Sequence, residues 1–323
     1  VMNLTVVLPW RLVSATASLP ERVSSPTRCR GAFRVRSVAL AGEKRRSVIP
    51  DKSTSHWAME RGKAILGACG TSEKNSVVNL FYEPELERNK TEILLNEQES
   101  RHALKVLRYK PGDAMLLTNG RGRFFDATLL SATKKHCWLQ VTAARSTGEE
   151  GAQKHLITAP LKNRNRLEWV LEKATELGAS AISLVHTHHT ERTKVNDDRV
   201  ERLLASAMKQ SMRATLPAYQ QYSSLQQCLE DLPEHGQRLI AECETPDKPH
   251  LSQAYYAREP VHFLFGPEGD FSQEELTMTF EAGFQPVTLG DLRMRAETAP
   301  LAAFAMLEAV DASSPVSGSN FAR

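Results

Sequence analysis

Alternating hydrophobic and polar residues predict a small β domain in the part of the chain that follows residue 79. Asn119-Gly120 has the composition of a hairpin turn, and the segments on both sides of it alternate with the period of two that strands have. A short helix carrying Leu104 and Leu107 precedes them and ends at Pro111-Gly112. The pattern predicts strands at Ala114–Thr118, Phe124–Leu130 and Cys137–Val141. Together these elements indicate a β-barrel-like module.

A second pattern follows, in which short apolar runs alternate with segments of helical periodicity. Ser272 and Glu275 form a capping box before a helix that ends near Gly283. Repeated strand-then-helix units are typical of a parallel sheet covered on both faces. The predicted strands are His155–Ala159, Ala181–Val185, Arg238–Glu242, Val261–Phe265 and Pro286–Leu289, and the other helices are Arg166–Leu177, Asp198–Met212 and Ala299–Val310.

Composition excludes several classes of protein. The 323 residues are 41% hydrophobic and 24% charged, as in an ordinary globular protein, and no apolar run approaches the length of a membrane span. The five cysteines show no CxxC pair, which indicates reduced thiols. No GxGxxG follows a strand and no GxxxxGK[ST] occurs, which argues against a dinucleotide fold and a P-loop NTPase.

Charge is distributed unevenly along the chain. Residues 1–76 hold 13 Lys and Arg against 5 Asp and Glu, whereas the remainder holds 28 against 33. An Arg-rich, Ser-rich and acid-poor N-terminus is typical of an organelle transit peptide, and abundant hydroxyl residues favour a chloroplast over a mitochondrion. The alternative is a disordered basic arm that helps to bind nucleic acid.

Basic residues cluster in the small domain although the body of the chain is net acidic. Any one of them is explained as well by a solvated charged face, but the group favours contact with the phosphates of RNA. The candidates are Arg101, His102, Lys105, Arg108, Arg121 and Arg123, joined by Lys162, Arg164 and Arg166 before a predicted helix.

Two glycine-containing turns between Phe263 and Ala299 predict a small-molecule site. Each turn leaves a predicted strand and leads into a helix, which is how α/β proteins build a ligand crevice. Glycine lets main-chain groups approach a ligand closely. His186, His188 and His189 lie close together after another strand, but without partners at zinc-like spacing we expect no metal there.

Six segments, taken in order, resemble the RsmE-type small-subunit (16S) rRNA uridine-N3 methyltransferases of the SPOUT superfamily. The resemblance covers about residues 79–312. The segments are HALKVLRYKPGD, NGRGRFFDATLL, LKNRNRLEWVLEKATELGASAISLV, AMKQSMRATLP, FGPEGDFSQEE and LGDLRMRAETA.

The resemblance implies a specific architecture. A PUA-like RNA-binding β domain (77–150) precedes a SPOUT methyltransferase domain (151–312), an α/β domain with a parallel sheet and a C-terminal trefoil knot. Residues 1–76 would be transit peptide and linker, and 313–323 a disordered tail. The family also implies a homodimer, with small-subunit rRNA or the assembled subunit as partner.

The resemblance further implies S-adenosyl-L-methionine as cofactor. Its binding residues would be Leu264, Phe265, Gly266, Pro267, Glu268, Gly269, Leu289, Gly290, Met294, Arg295 and Ala296. Glu268 would order its own loop, offset the sulfonium charge or simply cap the following helix. The chain departs from the family at three positions, with Asp270 in place of the last glycine of GPEGG, Leu292 in place of a frequent arginine, and Ala296 in place of a threonine.

N3 of uridine carries a proton at neutral pH, so the enzyme must weaken that bond and stabilise the anion that develops. Arg213 and Arg295 are the candidates for this electrostatic role. Glu297 is the third candidate catalytic residue, although it would equally serve with Thr298 as a helix cap. The general base stays open among His186, His188, Glu268 and water.

Two other functions remain compatible with the sequence. One is a SPOUT methyltransferase acting on another base or on a ribose hydroxyl. The other is an rRNA-binding assembly factor without catalysis, which the changes at Leu292 and Ala296 would permit.

Overall fold

The computed structural model describes residues 79–147, 153–192 and 194–314. The predicted leader, residues 1–76, lies outside this range, as does nearly all of the predicted tail, 313–323.

The first described part is one five-stranded sheet in the order β1-β3-β4-β5-β2. The strands β3 and β4 form the predicted hairpin, and β1 adds to β3 in parallel. Phe81, Leu117, Phe125 and Leu139 are fully buried in its core. The strands are β1 (Leu80–Tyr82), β2 (Glu92–Leu95), β3 (Ala114–Thr118), β4 (Arg123–Ala132) and β5 (Cys137–Ser146).

The helix before this hairpin is irregular. Helix α1 (Glu97–Arg101) is capped by Asn96, whose side chain accepts a hydrogen bond from the N–H of Glu99. It continues into a π-helical turn, His102–Val106. Its apolar side packs Ala103, Leu104 and Leu107 against the core of the small sheet. A helix at this place is therefore confirmed, but its predicted end at Pro111-Gly112 is wrong. The helical turns end at Val106, because Arg108 adopts a left-handed conformation with a φ of +60°.

A six-stranded parallel sheet forms the second part, in the order β11-β9-β10-β6-β7-β8. Every residue of β10 is buried, as expected for an inner strand with helices on both faces. The strands are β6 (Lys154–Thr158), β7 (Ala181–Val185), β8 (Ala218–Tyr222), β9 (Gln237–Ala241), β10 (Val261–Phe265) and β11 (Gln285–Pro286). The helices are α2 (Arg164–Glu176), α3 (Asp197–Gln210), α4 (Leu225–Asp231), α5 (Leu251–Ala254), α6 (Gln273–Glu281) and α7 (Thr298–Ser313).

Several elements differ from the sequence prediction. Strands β1 and β2 and helices α4 and α5 were not predicted. β8 was not predicted, because its residues AYQQY are mostly polar and half exposed at the edge of the sheet. β11 stops at Pro286 although a strand was expected over Pro286–Leu289. The chain leaves the sheet after Val287, since Thr288 donates to the carbonyl of Pro249 and no longer to β9.

The segment after α3 joins the two sheets. The carbonyl of Ala214 accepts hydrogen bonds from Thr118 Oγ1 and from the N–H of Gly122, both at 2.9 Å. Leu216 donates to the carbonyl of Gly120, at 2.9 Å. Ala214 also packs with Leu80, Leu116 and Phe124. The hairpin of the small domain is thereby fixed against the larger sheet.

The fold class is confirmed as a parallel α/β sheet preceded by a small β domain, and the trefoil knot stays a prediction. Among the residues that the structure describes, no helix has the length and apolarity needed to cross a membrane.

Candidate functional site

A cavity of about 430 Å³ opens where β9 and β10 end and α7 begins. The carboxyl ends of neighbouring parallel strands meet at one edge of a sheet, which is where open α/β sheets bind ligands. Its lining comes from the end of β9 and the turn after it (Ala241 and Cys243), from the end of β10 and the loop after it, from residues 293–297 with Ala299, and from Arg166 on α2.

The loop after β10 forms one wall and turns sharply at Asp270. Asp270 has a φ of +59°, a left-handed conformation in which glycine is favoured. Its carboxylate compensates by accepting hydrogen bonds from the N–H of Cys243 and of Phe271, both at 3.0 Å. The turn brings Asp270 against Gly266, where a Cβ would lie 3.1 Å from Asp270 Oδ1 and from Phe271. A side chain at position 266 would therefore have to displace Asp270 or Phe271 by a few tenths of an ångström.

Glu268 on the same wall holds a neighbouring loop. Its Oε1 accepts a hydrogen bond from the N–H of Lys162, at 3.1 Å, in the connection between β6 and α2. The cap of α6 is instead the predicted pair Ser272 and Glu275, whose capping box is complete. The interpretation of Glu268 as a helix cap is therefore wrong.

A buried carboxylate orders the turn after β9 beside the cavity. Glu242 accepts hydrogen bonds from the N–H groups of Glu244 and Thr245, and from Lys248 Nζ, at 2.5, 2.9 and 2.8 Å. Burial alone would raise the pKa of Glu242, but Lys248 and the two backbone donors outweigh it and lower this pKa. The fixed turn places Cys243 where its N–H reaches Asp270.

The opposite wall carries the charged residues Arg166, Arg295 and Glu297. Glu297 Oε1 lies 3.2 Å from Arg166 Nη1 and 3.8 Å from Arg295 Nη1. Glu297 is only 8% exposed, and its second oxygen, Oε2, has no hydrogen-bond partner. It sits at the N-cap position of α7 but makes no capping hydrogen bond with its side chain. The side chain therefore serves the cavity and not the helix end.

Seven of the eleven predicted cofactor residues line the cavity. They are Phe265, Gly266, Pro267, Glu268, Met294, Arg295 and Ala296. The lining does not include the other four. Leu264 is buried in one hydrophobic cluster and Leu289 packs against another. Gly269 lies against His189, and the N–H of Gly290 donates to Thr288 Oγ1.

Arg213, a predicted catalytic residue, lies away from the cavity. Its Nη1 donates to the carbonyls of Thr175 and Ala179, at 2.5 and 2.9 Å, at the C-terminal end of α2. Burial lowers the pKa of the Arg213 guanidinium. The geometry gives Arg213 a structural role, and its catalytic assignment stays a prediction without support from the cavity.

The predicted RNA-binding residues separate into two groups. Arg101, His102, Lys105, Arg108 and Arg121 are exposed on the small domain and Arg123 is half-buried. Near α2, Lys162 pairs with Glu191 at 2.7 Å and Arg164 with Glu168 at 3.2 Å. Arg166 lines the cavity beside Glu297. Its position therefore does not support the predicted contact with RNA phosphates.

The histidines lie beside the site. His189 Nδ1 is 3.0 Å from the carbonyl oxygen of Asp270, and the N–H of His188 donates to Glu275. None of His186, His188 and His189 lines the cavity, so two candidates for the general base lose geometric support. Within the described ranges, no group of ligands suited to a metal ion occurs.

Sequence reasoning missed several residues of the cavity, namely Ala241, Cys243, Asp270, Arg293 and Ala299. A signal existed for the first two, because they lie at the end of a predicted strand, Arg238–Glu242, and parallel strands meet at their carboxyl ends. Arg293 lines the cavity, while the neighbouring Leu292 is 83% exposed. The cavity thus contains the arginine that lies one place after the family's usual position.

Comparison with known families and structures agrees with both parts of the fold. Residues 149–308 match the model of an RNA methyltransferase domain, and residues 95–142 that of an RNA methyltransferase PUA domain. The ribosomal RNA small subunit methyltransferase E of Synechocystis is 27% identical over 224 residues, which span 68% of this chain and 73% of that protein.

Two solved structures are similar over almost their whole length. A probable rRNA methyltransferase from Porphyromonas gingivalis is 36% identical, with a TM-score of 0.67, over 73% of this chain and 99% of its own. The ribosomal RNA small subunit methyltransferase E of Neisseria gonorrhoeae, bound to S-adenosyl methionine, is 30% identical, with a TM-score of 0.62, over 72% of this chain and 98% of its own. The parallel sheet, the cavity at its carboxyl edge and these relatives lead to one conclusion: the chain belongs to the RNA methyltransferase family of the ribosomal RNA small subunit methyltransferases E.

Proposed function

We propose that this protein is an S-adenosylmethionine-dependent methyltransferase that modifies N3 of a uridine in small-subunit rRNA. The observation that carries the proposal is the cavity in which seven predicted cofactor residues, Arg295 among them, meet Arg166 and Glu297. The substrate class follows from the family and from its small β domain.

The cavity suits the cofactor in size and in chemistry. A volume of about 430 Å³ lies within the range of small-molecule sites. Phe265, Pro267, Met294 and Ala296 offer apolar surface for an adenine, and Glu268 offers negative charge for a sulfonium. The cofactor would supply the methyl group as an electrophile.

The protein's own residues would do two things for the reaction. Main chain at Phe265–Glu268 would hold the cofactor, because Gly266 and the Asp270 turn fix the shape of that loop. Arg295 and Arg166 would stabilise the negative charge that develops on the uracil, as donors do in an oxyanion hole. Alignment of N3 with the methyl group would supply a further part of the acceleration.

The proposal also includes the cellular compartment and the oligomeric state of the protein. We propose import into an organelle, with a chloroplast preferred, on the basis of the Arg-rich residues 1–42. We propose a homodimer on the basis of the family resemblance. The exposed basic residues of the small domain would contact the phosphates of rRNA.

The test incubates the full chain with radiolabelled S-adenosylmethionine and either unmodified small ribosomal subunits or naked small-subunit rRNA, and identifies the labelled nucleoside. We expect label in 3-methyluridine. Label in another nucleoside would contradict the assignment to N3 and favour another methylation position. No label, together with no binding of the cofactor in calorimetry, would favour the assembly factor without catalysis.

A further inference from the structure

The free oxygen of Glu297 is the feature of the cavity that the family resemblance leaves unexplained. Glu297 is 8% exposed and lines the cavity, and its Oε2 has no hydrogen-bond partner. Its other oxygen already faces Arg166 and Arg295, at 3.2 and 3.8 Å. A buried carboxylate oxygen without a donor is costly. A donor inside the cavity would remove this cost, and a ligand bound there would be able to bring one.

The charges nearby indicate which kind of donor fits. Arg166 and Arg295 both face Glu297, so that this group of three side chains has a net positive charge. A cationic donor, such as the ammonium of the cofactor, would be repelled there. A neutral N–H on a ring that becomes anionic would be attracted, since its charge grows as the proton leaves.

We propose that Glu297 is the general base that takes the proton from N3 of the target uridine, an inference that rests on the proposed function. The proton on N3 passes to Glu297 Oε2. The electron pair left on N3 forms the bond to the transferred methyl carbon, and the electron pair of the broken carbon–sulfur bond stays on sulfur. The sulfonium becomes a neutral thioether, and Glu297 then releases its proton to water.

The other acidic groups of the cavity are already engaged. Glu268 Oε1 accepts from the N–H of Lys162 and the residue is exposed. Both carboxylate oxygens of Asp270 accept backbone hydrogen bonds. Among the cavity carboxylates of the described chain, Glu297 thus combines burial with an oxygen that has no partner.

This role also predicts a preference between pyrimidines. N3 of uridine carries a hydrogen, whereas N3 of cytidine carries only a lone pair. A carboxylate oxygen accepts a hydrogen bond from the first and repels the second, and a buried site of this kind discriminates strongly. Glu297 would therefore select uridine as well as deprotonate it.

The test compares Glu297→Gln with wild type in single-turnover methylation of small-subunit RNA. Glutamine keeps the shape of the side chain and cannot take a proton. We expect the rate to fall about 100-fold or more, within the range for loss of a general base. The affinity for S-adenosylmethionine, measured by calorimetry, should stay within about twofold, since the amide still fits the wall. Glu168→Gln is the matched control, because Glu168 lies 3.2 Å from Arg164 and 2.5 Å from Arg199 but does not line the cavity.

RNA containing 5-fluorouridine distinguishes a role of Glu297 in proton transfer from a role in maintaining the shape of the site. Fluorine makes the N3 proton more acidic, so Glu297→Gln should recover a larger fraction of wild-type rate on this RNA than on ordinary RNA. No such recovery, wild-type rates in Glu297→Gln, or loss of cofactor binding in parallel with the rate would each overturn the inference. If wild type forms no 3-methyluridine, the proposed function fails instead. Glu297→Asp, with a shorter carboxylate, should retain part of the activity and confirm that the charge is needed.

Discussion

Asp270 shows how a single residue departs from a family pattern while the loop keeps its shape. The family's glycine at this position is explained by a φ of +59°, which costs a residue with a Cβ about 1–2 kcal/mol. Aspartate tolerates this conformation better than most residues, because its short side chain bonds locally. Here the carboxylate also ties the loop to Cys243. The hydrogen bonds of the Asp270 side chain thus stabilise a left-handed turn that glycine would adopt without strain.

A pair of substitutions at this residue separates the two effects. Asp270→Ala and Asp270→Gly both remove the hydrogen bonds to Cys243 and Phe271, but only glycine relieves the left-handed backbone. We expect Asp270→Ala to be less stable than Asp270→Gly by about 1 kcal/mol in chemical denaturation. Equal stability of the two variants would show that the backbone conformation carries no strain.

At the scale of an element, the C-terminal end of α2 is also stabilised by hydrogen bonds from a side chain. The last carbonyls of a helix have no partner within it and need donors from elsewhere. Gly178, with a φ of +93°, turns the chain after the helix. Arg213, which follows α3, then donates to the carbonyls of Thr175 and Ala179. A residue that the sequence suggested for catalysis therefore joins two helices.

The substitution Arg213→Met tests this role. Methionine keeps the apolar stem but leaves the carbonyls of Thr175 and Ala179 without their donor. We expect the free energy of unfolding to fall by about 1–3 kcal/mol, as for other buried unsatisfied groups. Arg202→Met should cost less than about 0.5 kcal/mol, because Arg202 is exposed on α3 and its guanidinium donates to the carbonyl of Asp198 in its own helix. Unchanged stability with a collapsed methylation rate would restore the catalytic interpretation.

At the scale of the whole molecule, a chain of histidines crosses the middle of the sheet. Ser183 Oγ lies 2.8 Å from His155 Nε2, and His155 Nδ1 lies 3.0 Å from His262 Nδ1. His262 Nε2 lies 3.4 Å from the carbonyl oxygen of His235. Two neutral histidines satisfy all of these contacts in one arrangement. Ser183 donates to His155 Nε2, His155 Nδ1 donates to His262 Nδ1, and His262 Nε2 donates to the carbonyl of His235. Burial, followed by the nearby His262, lowers the pKa of His155 to about 3, and burial lowers the pKa of His262.

These pKa shifts predict that acid destabilises the fold. A histidine whose pKa is lowered in the folded state binds its proton in the unfolded state first, so stability falls as the pH drops below about 6.5. His155 alone should cost about 2 kcal/mol at pH 5 relative to pH 7. Denaturation at both pH values measures this, and His155→Gln should show a smaller difference between them. An equal difference in the variant would assign the acid sensitivity to other groups.

Local signals in the sequence determined most of the secondary structure. The strands Ala114–Thr118, Ala181–Val185 and Val261–Phe265 lie where the sequence predicts them, and the capping box of α6 is complete. Hydrophobic periodicity and capping depend on residues a few positions apart, so they can be read along the chain. Edge strands such as β8 are missed by this kind of prediction, because they are partly exposed and need fewer apolar residues.

The site was determined in part by sequence and in part only by tertiary structure. The sequence determined the two glycine-containing segments, because they carry a family resemblance and follow predicted strands. Folding alone decided that Arg166 meets Glu297, that Arg213 closes the end of α2, and that Glu268 holds the loop at Lys162. Each of these pairs joins residues more than 30 positions apart, and their distance depends on how strands and helices pack. Residue types along the chain specify which groups are able to interact, whereas packing selects which of them do.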